Sequence, residues 1–231
     1  MVNLLYLFIS LYLFSGLVAH KGNENKWVIE GEAQGTTYRI LYYAPDNYVT
    51  KACVDSIFTA IDSSVSLYKP YSLINKFNES EKGINADIHL KKLVAKSREI
   101  YIDSEGAFDI TIKPIVSAWG FGAEGSRTVP DSAEINQLRK LTGMHHIRLD
   151  GDYLSKTSKE VSIDLNGIGQ GYSVDLIAEF LDQRGIEHYL VEVGGELRSK
   201  GGKPEDGIFN IGIEIPGSEE NSATKIIEIT N

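Results

Sequence analysis

Residues 162–172 read Ser-Ile-Asp-Leu-Asn-Gly-Ile-Gly-Gln-Gly-Tyr. Val161 to Leu165 reads as a strand, glycines follow at 167, 169 and 171, and an amphipathic helix is expected directly after them, from about Tyr172 to Gln183. That helix would bury Val174, Ile177 and Leu181 and stop at Gly185. Closely spaced glycines let backbone N–H groups turn toward an anion, and a helix N-terminus adds partial positive charge. Asp164, at the strand's end, would face the same crevice, where a carboxylate can hydrogen-bond a ligand or sit near a cation. The spacing is GxGxG, which departs from the GxGxxG of dinucleotide-binding turns. A tight strand–helix connection that holds nothing fits the pattern equally well.

Upstream, Trp27–Glu32 and Thr36–Tyr43 read as strands broken by Gly31 and Gly35. From Thr50 to Val65, apolar residues Val54, Ile57, Phe58, Ile61 and Val65 recur at helical spacing, and a second helix is expected from about Asp87 to Tyr101. Asp131-Ser-Ala-Glu134 is a capping-box pattern opening a helix through about Leu141. Ile147–Asp150 and Tyr153–Lys156 flank a Gly151-Asp152 hairpin signal. Downstream, strands are expected at His188–Val193, Ile208–Ile215 and Lys225–Thr230. The last of these has nothing after it to cover its edge, a hint that the chain is a fragment. Strands and helices thus mix along one chain, with no fixed-period repeat and no dividing linker. The fold class is α+β, a single mixed domain with an antiparallel-rich sheet and packed helices.

The 231 residues suffice for one large domain or two small ones. A single cysteine, Cys53, excludes an intrachain disulfide and a cysteine-based zinc site, and it reads as helix packing rather than as a nucleophile. Lys+Arg 23 against Asp+Glu 32 leaves a net charge of −9, which disfavours a broad nucleic-acid-binding or anionic-membrane surface. An anionic ligand would have to be held locally, by backbone N–H groups or a metal. Leu4 to Ala19 carries no charge and ends in a small residue before a polar run. Residues 1–19 are therefore expected to be a signal peptide, with an uncleaved N-terminal membrane anchor as the alternative.

Three further clusters could carry chemistry. In Gly106-Ala-Phe-Asp109, with Trp119-Gly-Phe121 beyond it, Asp109 lies between apolar neighbours; it either caps a turn or meets a polar ligand, and Phe108 could flank a planar ring. Tyr68-Lys-Pro-Tyr-Ser72-Leu-Ile-Asn75 offers tyrosine and serine on a loop, for a ligand or for turn chemistry. Glu192-Val-Gly-Gly-Glu196 permits a close backbone approach or a β-bulge. His145 and His146, adjacent and expected in a strand, would point to opposite faces and chelate poorly. No HExxH, GxSxG or Walker sequence is present.

In order, these segments resemble the FAD:protein FMN transferases, the ApbE-like flavin transferases. The matching pieces are Ala33-Gln-Gly-Thr-Thr-Tyr38, Leu67-Tyr68 through Ser72 and Asn75, Gly106-Ala-Phe-Asp109 with Trp119-Gly, Ile163-Asp-Leu through Gly171-Tyr-Ser-Val-Asp175, and Val193-Gly-Gly-Glu196. They span about Trp27 to Pro216. The resemblance implies an ApbE-like, T-fold-related architecture over residues 27–231 and a magnesium-dependent, exported enzyme, periplasmic or on the periplasmic face of the inner membrane. Such an enzyme splits the pyrophosphate of FAD and transfers the FMN moiety to a threonine hydroxyl of an acceptor protein of a membrane redox complex, releasing AMP. By position, Gln34, Tyr68, Ala107, Phe108, Asp109 and Gln170 would contact FAD, Asp164 would bind its nucleotide portion, and Gly167 would offer its carbonyl to Mg²⁺.

The chain departs from that pattern in three places. Gln34 stands where methionine is frequent in the family, and Gln170 where a charged residue is frequent. The family also continues into a C-terminal part with a histidine-containing segment and further magnesium ligands, where the catalytic residues are expected. A truncated or degenerate copy is therefore the expectation, and a flavin-binding or FAD-hydrolysing protein without transfer activity is the alternative.

Overall fold

Thr50 starts the first helix by accepting, on its side chain, a hydrogen bond from the Cys53 N–H. Helix α1 then runs Lys51–Val65 with Val54, Phe58, Ile61 and Val65 on its buried side. The computed structural model describes residues 24–122, 129–214 and 223–229. The expected signal or anchor at residues 1–19 lies outside them. Among the described residues, no helix is long and apolar enough to cross a membrane.

Before α1, strands β1 (Asn25–Ala33) and β2 (Thr36–Ala44) form a hairpin. Its turn residues Gln34 and Gly35 have φ of 53° and 76°, both positive as a two-residue turn of the primed type requires. Gly31 does not break β1. It pairs with Tyr38, whose ring lies only 2.7 Å from where a Cβ on Gly31 would be. After α1 come α2 (Leu73–Glu79), capped by Ser72, the short strand β3 (Gly83–Asn85), and α3 (Ile88–Asp103), capped by Asp87. A 3₁₀ turn at Ile110–Ile112 leads into α4 (Lys113–Ala118). Asp131 accepts from the Glu134 N–H and opens α5 (Ser132–Leu138), which tightens into a 3₁₀ turn at Arg139–Leu141. Strands β4 (Ile147–Asp150) and β5 (Tyr153–Lys156) follow, then α6 (Asn166–Asp182), β6 (His188–Val193), β7 (Glu196–Lys200), β8 (Phe209–Glu214) and β9 (Ala223–Ile229).

The strands make three sheets, ordered β1-β2-β6-β7, β3-β5-β4 and β8-β9, and every pairing is antiparallel. This is the α+β arrangement expected. Helices α1 and α6 separate two apolar cores. Val174, Ile177 and Leu181 of α6 pack with Val54, Phe58, Ile40, Tyr42 and Val191 in the core of the four-stranded sheet. Ile168, Tyr172 and Leu176 of the same helix face the other core, built on Ile61, Phe77, Leu90, Leu93, Leu154 and Ile163. The α6 N-terminus is thereby fixed between the two cores.

Four further expectations are corrected. Val161, Ile163 and Leu165 are buried in alternation as in a strand, but among the described residues the segment 161–165 pairs with no strand. Its backbone bonds go to the Asn78 side chain and to the Ile110 carbonyl instead. Helix α6 starts at Asn166, not near Tyr172, so Gly167, Gly169 and Gly171 are helical rather than loop residues. Burial of residues on both sides of α6 outweighs the helix cost of glycine, about 1 kcal/mol each relative to alanine. His145 and His146 lie on a 3₁₀ turn, Met144–His146, not a strand, with ring centroids 4.0 Å apart. Gly194 and Gly195, at φ 58° and 92°, end strand β6 with the close approach expected, not with a bulge, and turn it directly into β7, a strand that the charged sequence Glu-Leu-Arg-Ser-Lys does not announce.

Candidate functional site

The β1–β2 and β6–β7 turns, the end of α1 and the first turns of α6 converge. Between the Gln34–Gly35 turn, Asp62 and Val65 of α1, the loop Ser66–Lys69 and the start of α6 lies a cleft of about 540 Å³. Gln34, Tyr68 and Gln170 all line it, together with Asn166 and Gly169.

Each is held by its own local logic. Gln34 has a positive φ, a costly conformation for a non-glycine residue, and such strain tends to collect at ligand sites. Its Nε2 donates to Ser173 Oγ at 2.8 Å, and that hydroxyl donates to the Gly169 carbonyl at 3.0 Å, tying the turn to α6. Tyr68 stands on the rim with its ring largely in solvent. Gln170 packs against the second turn: a Cβ on Gly194 would lie 3.1 Å from its Nε2.

The other sequence candidates surround the same helix end without entering that cleft. Phe108 is half-buried and touches α6 from behind, 3.4 Å from where a Cβ on Gly167 would stand. Asp109 accepts from the Thr111 N–H at 2.8 Å and from its hydroxyl at 2.7 Å, so it caps the 3₁₀ turn. Ala107, one residue before Phe108, donates its N–H to the Ser104 carbonyl at 3.0 Å. Asp164 accepts from the Asn166 N–H at 2.7 Å and opens into a narrow hollow of about 20 Å³ beside Asn75 and Lys113. Gly167 faces a separate groove of about 510 Å³ between α3, α6 and β7. Ser72 is buried at the α2 N-cap, which leaves turn chemistry as its role.

Magnesium takes oxygen donors, commonly one or two carboxylates, in octahedral geometry. Gly167 lies in the first turn of α6, where the helical ladder already uses its carbonyl. Among the described residues, no three His, Cys, Asp or Glu side chains converge to hold a metal. The described residues therefore do not by themselves fit a magnesium ion.

Sequence reading missed Asp62 as a cleft residue, whereas Asn166 and Gly169 lie in the glycine stretch 162–172 and Lys69 in the loop 68–75, both of which it singled out. Asp62 sits in the apolar stripe of α1 next to Ile61, and an acid at that place was its only signal. Burial lifts its carboxyl above the usual carboxylate range, while the Lys69 charge and the Gln34 side chain pull it partly back. With the folded pKa above the unfolded one, the native state holds the proton more tightly. This group therefore favours folding below its unfolded pKa, and that contribution is lost as pH rises through the folded value. Asp62→Asn should stabilise the fold at about pH 7 by roughly 1 kcal/mol or less, because the group is half-exposed, and the gain should fade toward about pH 4. Thermal denaturation at the two pH values checks this; equal melting temperatures for both proteins at neutral pH would contradict it.

The ApbE family model matches residues 34–231. A Vibrio cholerae protein named FAD:protein FMN transferase is 33% identical over 207 residues, covering 87% of this chain and 62% of the relative. Its Escherichia coli K12 namesake is 31% identical over 212 residues, covering 87% and 60%. The crystal structure of the Pseudomonas stutzeri flavinyl transferase ApbE superimposes with a TM-score of 0.80 at 32% identity, covering 90% of this chain and 69% of that one. The Vibrio cholerae flavin transferase ApbE gives 0.77 at 32% identity, covering 84% and 65%. The chain thus spans about three fifths of the length of the curated relatives it matches.

Proposed function

The chain belongs to the ApbE family, and from that membership we propose that it binds FAD around the first turns of α6 and serves transfer of the FMN moiety to a threonine hydroxyl of an acceptor protein. In that reaction the threonine oxygen bonds to the phosphorus of the FMN half as its proton leaves. The phosphorus–oxygen bond to the other half breaks, and AMP departs with the bridging oxygen.

One observation carries this reading: a cleft of about 540 Å³ at a helix N-terminus gathers Gln34, Tyr68 and Gln170 from three distant parts of the chain. Tyr68 offers an exposed ring edge to a planar group. Gln34 and Gln170 offer amides that donate and accept. The start of α6 presents the positive end of its helix dipole to a diphosphate, and Lys69 adds a positive charge. Asp62 is an acceptor for ligand hydroxyl or amine groups. Asp164 and Phe108 brace that helix start from the other side, which is where the FAD-contacting role proposed for residues 107–109 and 164 would act.

The test is a titration with FAD followed by incubation with magnesium and an acceptor domain. FAD binding with flavin left covalently on the acceptor supports the transferase reading. Binding without flavin left behind supports a flavin-binding protein, and failure to bind FAD rejects both. The uncharged run Leu4–Ala19 supports a second proposal, that the protein is exported and acts at the periplasmic face of the inner membrane on an acceptor in a membrane redox complex.

A further inference from the structure

Among the described residues, the segment leading into α6 has no partner strand, yet Val161, Ile163 and Leu165 are almost wholly buried. Buried backbone groups must find partners. Here one side chain supplies what a neighbouring strand normally would. Asn78, near the end of α2, accepts from the Ile163 N–H on Oδ1 at 2.8 Å and donates from Nδ2 to the Ile163 carbonyl at 3.0 Å. Both atoms of the amide are thus spent on one residue of that segment.

Lys156, the last residue of β5, reinforces the same joint. It is buried with only 8% of its surface exposed, and its Nζ donates to the Asn78, Lys159 and Val161 carbonyls at 2.9, 3.0 and 2.9 Å. All three ammonium donors are thereby used, and the ammonium lies over the Phe77 ring, 5.2 Å from its centroid. One residue on, the Asp164 N–H donates to the Ile110 carbonyl at 2.8 Å. That bond joins the segment to the stretch that begins at Phe108 and Asp109.

We propose that Asn78 is a positioning residue for the flavin site: with Lys156 it clamps the unpaired segment 161–163, and so sets where Asp164 and the start of α6 stand relative to Phe108 and the cleft. The proposal rests on the FAD-binding reading above, but its geometry is independent of it. A displacement of about 1 Å at such a joint is enough to cost large factors in a well-oriented site.

Two variants test it. Asn78→Leu keeps roughly the size and removes both hydrogen bonds, whereas Asn78→Asp keeps an acceptor for the Ile163 N–H. Native-state amide exchange is read at Ile163 and Asp164, with Val191, at the centre of β6, as an internal reference, and FAD affinity is measured in parallel. In Asn78→Leu, exchange at Ile163 and Asp164 should accelerate about tenfold with Val191 unchanged, and FAD should bind about tenfold more weakly. Asn78→Asp should lie between that variant and the wild type in both readouts. Acceleration at Ile163 only in step with Val191 would mean that Asn78 contributes general stability alone, and would overturn the proposal. So would local acceleration with FAD affinity unchanged. Absence of FAD binding by the unmodified chain would instead reject the flavin reading, and the exchange measurements would still decide whether the clamp exists. Should Asn78→Leu not fold, Asn78→Asp alone carries both readouts, and wild-type values in each would reject the proposal.

Discussion

Gly169→Leu is expected to weaken FAD binding roughly a hundredfold while raising the melting temperature. Gly169 is helical, its φ is not in the left-handed region, and a Cβ placed on it would meet nothing within 4 Å. Nothing in the free protein therefore requires glycine at this position. A leucine would instead remove a helix penalty of about 1 kcal/mol, worth about 2–4 °C in a chain of this size. The residue does line the cleft, so the space kept clear by its missing side chain is space for a ligand to approach the α6 backbone. A FAD titration and a thermal melt on the same sample separate the two effects. Unchanged affinity would take Gly169 out of the binding surface, and a lower melting temperature would show that the open space is not there.

Asp164→Ala is expected to weaken FAD binding through the helix start that it caps, since it lies outside the cleft, and to cost about 1 kcal/mol in stability. The stability loss follows from the bond it makes to the Asn166 N–H, one of the first donors of a helix whose N-cap, Leu165, has no side chain to offer. Asp164→Asn keeps an oxygen for that N–H and loses only the charge. The melting temperature and the affinity should therefore fall for alanine and stay for asparagine. Lost affinity in Asp164→Asn would mean that the carboxylate itself meets the ligand.

Local hydrogen bonding decided what could be read from the sequence. Thr50, Asp87 and Asp131 each accept a backbone N–H at a helix start, a short-range effect visible in a few consecutive letters. The β1–β2 and β4–β5 hairpins are local in the same sense. The segment before α6 was not readable, because its alternating burial looks like that of a strand while its partner is one asparagine side chain 85 residues earlier. The glycines of α6 misled in the other direction: their propensity argues for a loop, and packing on both flanks of the helix prevails over it. At the site, Gln34 and Gln170 were legible only through the ordered resemblance, while Tyr68 was also readable as a loop tyrosine open to a ligand. Asp62 was hidden by the apolar helix around it. That Asp109 caps a turn was an open alternative in the sequence, and its two bonds to Thr111 are what settle its place in the structure.

A crystal structure of the protein soaked with FAD measures the central claim most directly. Electron density for the flavin coenzyme in the cleft between Gln34, Tyr68 and Gln170, with its diphosphate against the backbone of residues 166–170, is the expected result. Density in the groove between α3, α6 and β7 instead, with that cleft empty, would contradict it.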